Sequence, residues 1–164
     1  MILRRGLPCK DFIKGDYMTK EVLLTISGLH YDSVPDEDEN EPIEVITPAT
    51  YYLKNGKHYV IYDEMVEGMP GTIQNKIRIA GNNLLEIKKS GLANTKMIFE
   101  RDKINMTQYE TPYGELLIGI FTKNMQVDVT ERNIDVRVNY ELDINSEKVA
   151  NCDIKMNIRA NAPG

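Results

Sequence analysis

Residues 134–144 read IDVRVNYELDI. Ile134, Val136, Val138, Tyr140, Leu142 and Ile144 alternate with Asp135, Arg137, Asn139, Glu141 and Asp143. Successive side chains of a β-strand point to opposite faces. A period of two therefore lays one apolar row on a core and one charged row in water. The next segment repeats the pattern, with Cys152, Ile154, Met156 and Ile158 set against Asp153, Lys155, Asn157 and Arg159. Two such segments joined by Asn145-Ser146 form a hairpin that is apolar on one side only, and the rest of the chain has to cover that side.

Strand signals also fill residues 20–30, 43–54, 57–66, 72–80, 84–89, 95–101, 104–110 and 115–129, the last with a bend. Asn55-Gly56 marks a tight hairpin, because both central positions of a type I′ turn need positive φ. Gly81-Asn82-Asn83, Ser90-Gly91 and Arg101-Asp102-Lys103 are short connections. In Thr111-Pro112-Tyr113-Gly114, Pro112 pre-sets the first central φ and Gly114 closes a type I turn. No segment sustains a 3.6-residue apolar period, and no repeat of solenoid or propeller length is present. About ten hairpin-linked strands must dispose of their edges. Only the 31–42 loop is long, whereas a Greek-key sandwich needs long crossovers. The expected fold is all-β: a single antiparallel up-and-down barrel of about 8–10 strands.

The length of 164 residues and 41% hydrophobic content suit one domain with a buried core. Residues 18–160 are expected to form it. Residues 1–17 lack strand or helix period and are expected to be a loosely ordered extension, with Met18 a candidate natural start. No apolar run reaches 18 residues, and the N-terminal stretch has charge but no secretory h-region. Cys9 and Cys152 are too few for a disulfide framework. The cytoplasm is the expected compartment. The net charge of −5 is local. Six of the 25 acids fall in residues 29–42, leaving 19 against 20 bases elsewhere. That balance disfavours a nucleic-acid binder.

Lys89-Ser90-Gly91, then Met97 and Phe99, then Tyr109-Glu110-Thr111-Pro112-Tyr113-Gly114-Glu115-Leu116, then Thr122, resemble the YwiB-like family, a bacterial domain of unknown function. The likeness runs from about Thr19 to Arg159, and the Y-x-T-P-Y-G block is its most specific part. It implies a calycin-like (lipocalin-like) β-barrel and carries over no catalytic residue. The family pattern has Arg where this chain has Lys89, which keeps the charge and loses the planar fork of donors. The G-x-W motif of lipocalins proper is missing: Gly28 precedes Leu29 and His30, and the chain has no Trp.

Chemical constellations are sparse. Asp36, Asp38 and Asn40 start a calcium-loop pattern, but Glu41 replaces its glycine and Thr47 its bidentate Glu, so a solvated loop is the better reading. His30 and His58 have no metal-ligand spacing to another His or Cys. Cys152 falls on an apolar row and reads as core. Asp63 and Glu64 are adjacent on a strand and cannot both enter the barrel. Lys76, Arg78, Lys88 and Lys96 share outward parity, where Glu86 and Glu100 make cross-strand charge pairs the favoured reading over a phosphate-binding patch.

The expected function is binding of a small apolar or amphipathic molecule in the barrel, since a barrel of this size either fills with side chains or holds one ligand. Tyr59, Tyr62, Lys89, Arg101, Tyr109, Tyr113 and Thr122 are the candidate ligand-binding residues, at the mouth or in the interior. The alternative is a filled barrel acting through its surface as a protein or RNA interaction module. The reading leans away from an enzyme and assigns no catalytic residue, metal or cofactor. It expects a monomer or homodimer and no membrane partner.

Overall fold

The computed structural model describes residues 20–28, 44–92, 94–111 and 114–160. Ten strands account for almost all of them: β1 (Lys20–Ser27), β2 (Glu44–Lys54), β3 (Lys57–Met65), β4 (Thr72–Ala80), β5 (Leu84–Gly91), β6 (Thr95–Glu100), β7 (Ile104–Thr111), β8 (Gly114–Val129), β9 (Asn133–Ile144) and β10 (Glu147–Ala160). All pairings are antiparallel, in the order β6-β5-β4-β3-β2-β1-β10-β9-β8-β7.

The sheet curls into a nearly closed barrel whose seam is not where an up-and-down reading puts it. The first and last strands pair along their length, Val22 with Ala160 through Ser27 with Lys155. The consecutive strands β6 and β7 do not form a ladder. The turn between them is diverted: Asp102 N–H donates to the Thr122 carbonyl (2.8 Å), and Thr122 N–H to the Lys103 carbonyl (3.2 Å). β8 thus captures the β6–β7 turn through backbone hydrogen bonds. Thr107 Oγ1 donating to the Lys96 carbonyl (2.8 Å) holds the seam farther along.

The alternation read in residues 134–144 is observed from Ile134 to Leu142, and Ile144 at the end of the strand is half-buried. Ile134, Val136, Val138, Tyr140 and Leu142 are buried. They face Leu24, Val60, Ile77, Ile87, Phe99, Ile120, Ile154 and Met156 in one contiguous core. Phe99 and Tyr140 meet edge to face at 4.9 Å. The middle of the barrel is therefore packed with side chains, each worth roughly 1.5–3 kcal/mol of burial.

The expected bend in the 115–129 segment is a bulge between Thr122 and Asn124. Inward positions run Leu116, Ile118, Ile120, Thr122 before it and Met125, Val127 after it, because one extra residue flips the parity. Asn55 (φ 52°) and Gly56 (φ 76°) make the expected left-handed pair. Asn145 (φ 51°) and Ser146 (φ 71°) do the same without glycine. Asn145 is braced there by Leu117, whose carbonyl accepts from the Asn145 N–H (2.8 Å) and whose N–H donates to Asn145 Oδ1 (3.0 Å).

Thr111 pairs with Gly114, so β7 and β8 form a hairpin as read. Pro112 and Tyr113 lie outside the described residues, as do residues 1–17, Met18, His30 and the calcium-like Asp36, Asp38 and Asn40.

Candidate functional site

Four neighbouring strands bring a polar line to one end of the barrel. Tyr62 pairs with Asn75, Asn75 with Lys89, and Lys89 with Thr95. Each belongs to an inward row: Val60 precedes Tyr62, Ile77 follows Asn75, and Ile87 precedes Lys89. Glu64 is one inward position beyond Tyr62 and pairs with Ile73. Its Oε1 accepts from Lys89 Nζ (3.1 Å) and from Asn75 Nδ2 (3.2 Å). Just past Lys89, Gly91 (φ 109°) lets β5 close on β4, since a Cβ there would stand 2.5 Å from the Thr72 carbonyl oxygen.

Burial is graded across the group. The Glu64 side chain is 36% exposed, that of Lys89 is 19% exposed, and Asn75 is 0% exposed. A carboxylate only accepts, so the Asn75 nitrogen faces Glu64 and the oxygen is left. That Oδ1 is buried with no hydrogen-bond partner among the described residues. A buried acceptor without a donor costs about 1–3 kcal/mol. Burial, and then the nearby Glu64 charge, raise the Tyr62 phenol to about 12. Tyr62 therefore keeps its proton at neutral pH and is an O–H donor.

The other sequence-derived candidates scatter. Tyr109 is half-buried against the core on β7. Thr107 is level with Lys96, so Tyr109 lies farther toward the Lys89 end. Tyr59 is outside the barrel, which corrects its place at the mouth or interior. It stacks on Tyr52 at 4.8 Å, with Lys76 Nζ 5.4 Å from its ring. The cause is parity, since His58, Val60, Tyr62 and Glu64 take the inward row of β3. Arg101 is exposed and donates to the Met125 carbonyl, tying the β6–β7 turn to β8 and not entering the polar group. Thr122 is fully buried beside Tyr140 near mid-barrel. Tyr113 lies outside the described residues.

Sequence reasoning missed Asn75, and set Glu64 aside with Asp63. Asn75 had a readable signal: it is the one polar member of the row Ile73, Asn75, Ile77, Ile79.

Other constellations are accounted for locally. His58 Nδ1 and the Tyr51 hydroxyl are 2.7 Å apart, and burial lowers the His58 pKa. Burial pushes the Cys152 thiol up, against a nucleophilic role. The outward basic row is cross-paired, Arg78 with Glu86 at 3.1 Å and Lys96 with Glu86 at 3.8 Å. Among the described residues no three His, Cys, Asp or Glu side chains gather to hold a metal, and no helix is long and apolar enough to cross a membrane.

Ten antiparallel strands around one apolar core make this an all-β barrel protein. Residues 29–156 match the family model described as Domain of unknown function (DUF1934), and the chain belongs to that family. It is 28% identical over 132 residues to the "Uncharacterized beta-barrel protein YwiB" of Bacillus subtilis (strain 168), covering 80% of this chain and 89% of that protein. The crystal structure of the ywiB protein from Bacillus subtilis superposes with a TM-score of 0.69 at 19% identity, covering 88% of this chain and 94% of that one. The family read from the Tyr109–Leu116 block is thus the family found, and the barrel is its fold.

Proposed function

We propose that the protein is a non-catalytic binder of a small amphipathic molecule, taken at the Lys89 end of the barrel. The observation that carries this reading is the Asn75 carboxamide: fully buried, aimed into the barrel, and with its oxygen unmatched among the described residues. The ligand's head group offers a donor to Asn75 Oδ1 and an acceptor to Lys89 Nζ or the Tyr62 hydroxyl, as an alcohol or amide does. Tyr62 and Tyr109 pack on its apolar part. The packed middle of the barrel favours a site at the end over a hollow lumen. A Tyr62 that keeps its proton supports binding over base catalysis. The outward charged rows over an apolar interior reverse what a transmembrane barrel presents, and support a cytoplasmic location.

Native mass spectrometry of freshly purified full-length protein tests this. Wild type is expected to carry a non-covalent added mass that Asn75→Leu loses while keeping its far-ultraviolet circular dichroism. A bare mass for the wild type overturns the reading. It would favour instead the surface-acting barrel, which the packed interior and the exposed Ile104 and Met106 on the seam strand also support.

A further inference from the structure

The outer face of β2–β6 carries a charge pattern that the chain's net −5 conceals. Lys76 of β4 stands directly opposite Lys88 of β5, and Lys88 directly opposite Lys96 of β6. All three side chains are exposed. Lys54 and Lys57 make a second such pair across β2 and β3. Between the two groups stand Tyr52 and Tyr59, opposite each other and stacked at 4.8 Å with their planes 5° apart. Tyr59 is the next outward residue after Lys57, and Ile61, the one after that, pairs with Lys76.

Three acids lie on the outer face of β3–β6. Glu86 meets Arg78 at 3.1 Å and Lys96 at 3.8 Å. Glu100 meets Lys103 at 3.1 Å. Asp63 stands exposed on β3, opposite Gln74. Lys76 has the Tyr59 ring, with its Nζ 5.4 Å from the centroid, a contact that leaves its charge uncancelled. Among the described residues, Lys54, Lys57, Lys76 and Lys88 form no ion pair with a carboxylate. Like charges set directly opposite each other destabilise a sheet, and this face does so twice.

We propose that this face binds single-stranded nucleic acid, with phosphates on the lysines and an unpaired base on the tyrosine stack. Neighbouring strands lie about 4.8 Å apart, so the row from Lys76 to Lys96 spans about 10 Å. One nucleic-acid strand carries about three phosphates over that length. Phosphates set among the lysines turn the repulsion of the row into attraction. The rings select the occupant. Tyr59 has Tyr52 on one side and Lys76 beside it, whereas Tyr52 makes no second ring contact among the described residues. A flat base extends the stack at Tyr52. A duplex offers phosphates but keeps its base faces covered by its own stacking. The face shares no residue with the Lys89 group, because Lys88 and Lys89 are neighbours that point to opposite sides of β5. Either site can fail without the other.

The test is fluorescence anisotropy of labelled oligouridylate and oligothymidylate, each of about 12 nucleotides, with full-length protein. Sodium chloride is varied from about 50 to about 200 mM. Wild type is expected to bind, and the tighter of the two oligonucleotides names the sugar. About four phosphate contacts give log affinity against log salt a slope of about −2.8, and Lys88→Gln brings it to about −2.1. Tyr52→Ala is expected to weaken binding by about 5-fold or more with the slope kept, since it removes a stacked base and no charge. Lys155→Gln, at an exposed position on β10, is expected to bind as wild type does. Far-ultraviolet circular dichroism equal to wild type is expected of all three variants. No anisotropy change at about 50 mM salt, equal losses in Lys88→Gln and Lys155→Gln, or a Tyr52→Ala affinity equal to wild type overturns the proposal. So does a duplex of the same length that binds as tightly, and so does a protein that coats phosphatidylserine vesicles and leaves both oligonucleotides free.

Discussion

Each end of the barrel aims one lysine inward, Lys89 on β5 and Lys20 on β1, and surrounds it differently. Lys89 is engaged by Glu64, and beneath it lies a fully buried Asn75. Lys20 stands above an apolar floor, with Glu131 and Arg132 beside it on the rim and the Tyr51–His58 pair as one wall. The first arrangement places polarity at depth, where an unmatched atom is costly and selects its partner by hydrogen bonding. The second places charged groups near water, where their interactions are screened by salt. The same fold thus fixes polar groups by geometry at one end and leaves charges on a solvated rim at the other.

The largest effect that separates the two ends is expected from placing a carboxylate at depth. Asn75→Asp sets a second acid against Glu64 in a fully buried position and deletes the donor between them. It should cost about 3–5 kcal/mol. The rim change Glu131→Gln should stay within about 0.5 kcal/mol. Urea unfolding of both variants measures the gap, and equal losses would erase the contrast of depth.

The lysines themselves come next. Lys89→Gln removes the cation from a half-buried pair and leaves the inward Glu64 carboxylate without that counter-charge, for a loss of about 1–2 kcal/mol. Lys20 stands half-buried on a solvated rim, and Lys20→Gln should cost less, within about 1 kcal/mol. A larger loss at Lys20 than at Lys89 would reverse the assignment of the two ends.

Tyr51→Phe sharpens the picture of the rim wall. It deletes the 2.7 Å hydrogen bond and leaves His58 Nδ1 half-buried without it. The expected cost is about 1 kcal/mol, read from the urea midpoint. No change would mean that ring packing alone holds the wall.

Much of this was legible from the chain. Strict alternation in residues 134–144 identifies which side of β9 is core, because a one-residue slip would expose every apolar side chain at once. The same parity separates Tyr59 from Tyr62 once Val60 is assigned inward. It also singles out Asn75 among isoleucines, and Lys20 ahead of Val22, Leu24 and Ile26. The seam was not legible. It depends on β8 capturing the 101–103 turn through backbone hydrogen bonds, which no side-chain pattern encodes. Arg132 was hidden for a related reason. It lies in a turn, outside any row, and reaches Lys20 only because β1 and β10 close the barrel.

The smallest expected effect is a pH dependence confined to the Lys20 end. Burial holds His58 below its ordinary value of 6.5, so the folded chain takes up that proton at lower pH than the unfolded chain does. As pH falls through 6.5 the unfolded state is protonated first, and stability drops until the folded His58 also titrates. Above that window the term vanishes, because both states are neutral. Burial is what lowers His58; Lys20, Glu131 and Arg132 line one cleft with it, and Tyr51, with a phenol raised to about 12, stays protonated throughout. Urea midpoints at pH 7.5 and 5.5 should therefore fall farther for wild type than for His58→Gln, which has no proton to gain. Other acids titrate in both chains and cancel in the difference. An equal fall in the two proteins would mean that His58 is solvated like a surface histidine, and the wall it forms with Tyr51 would no longer distinguish this end from the other.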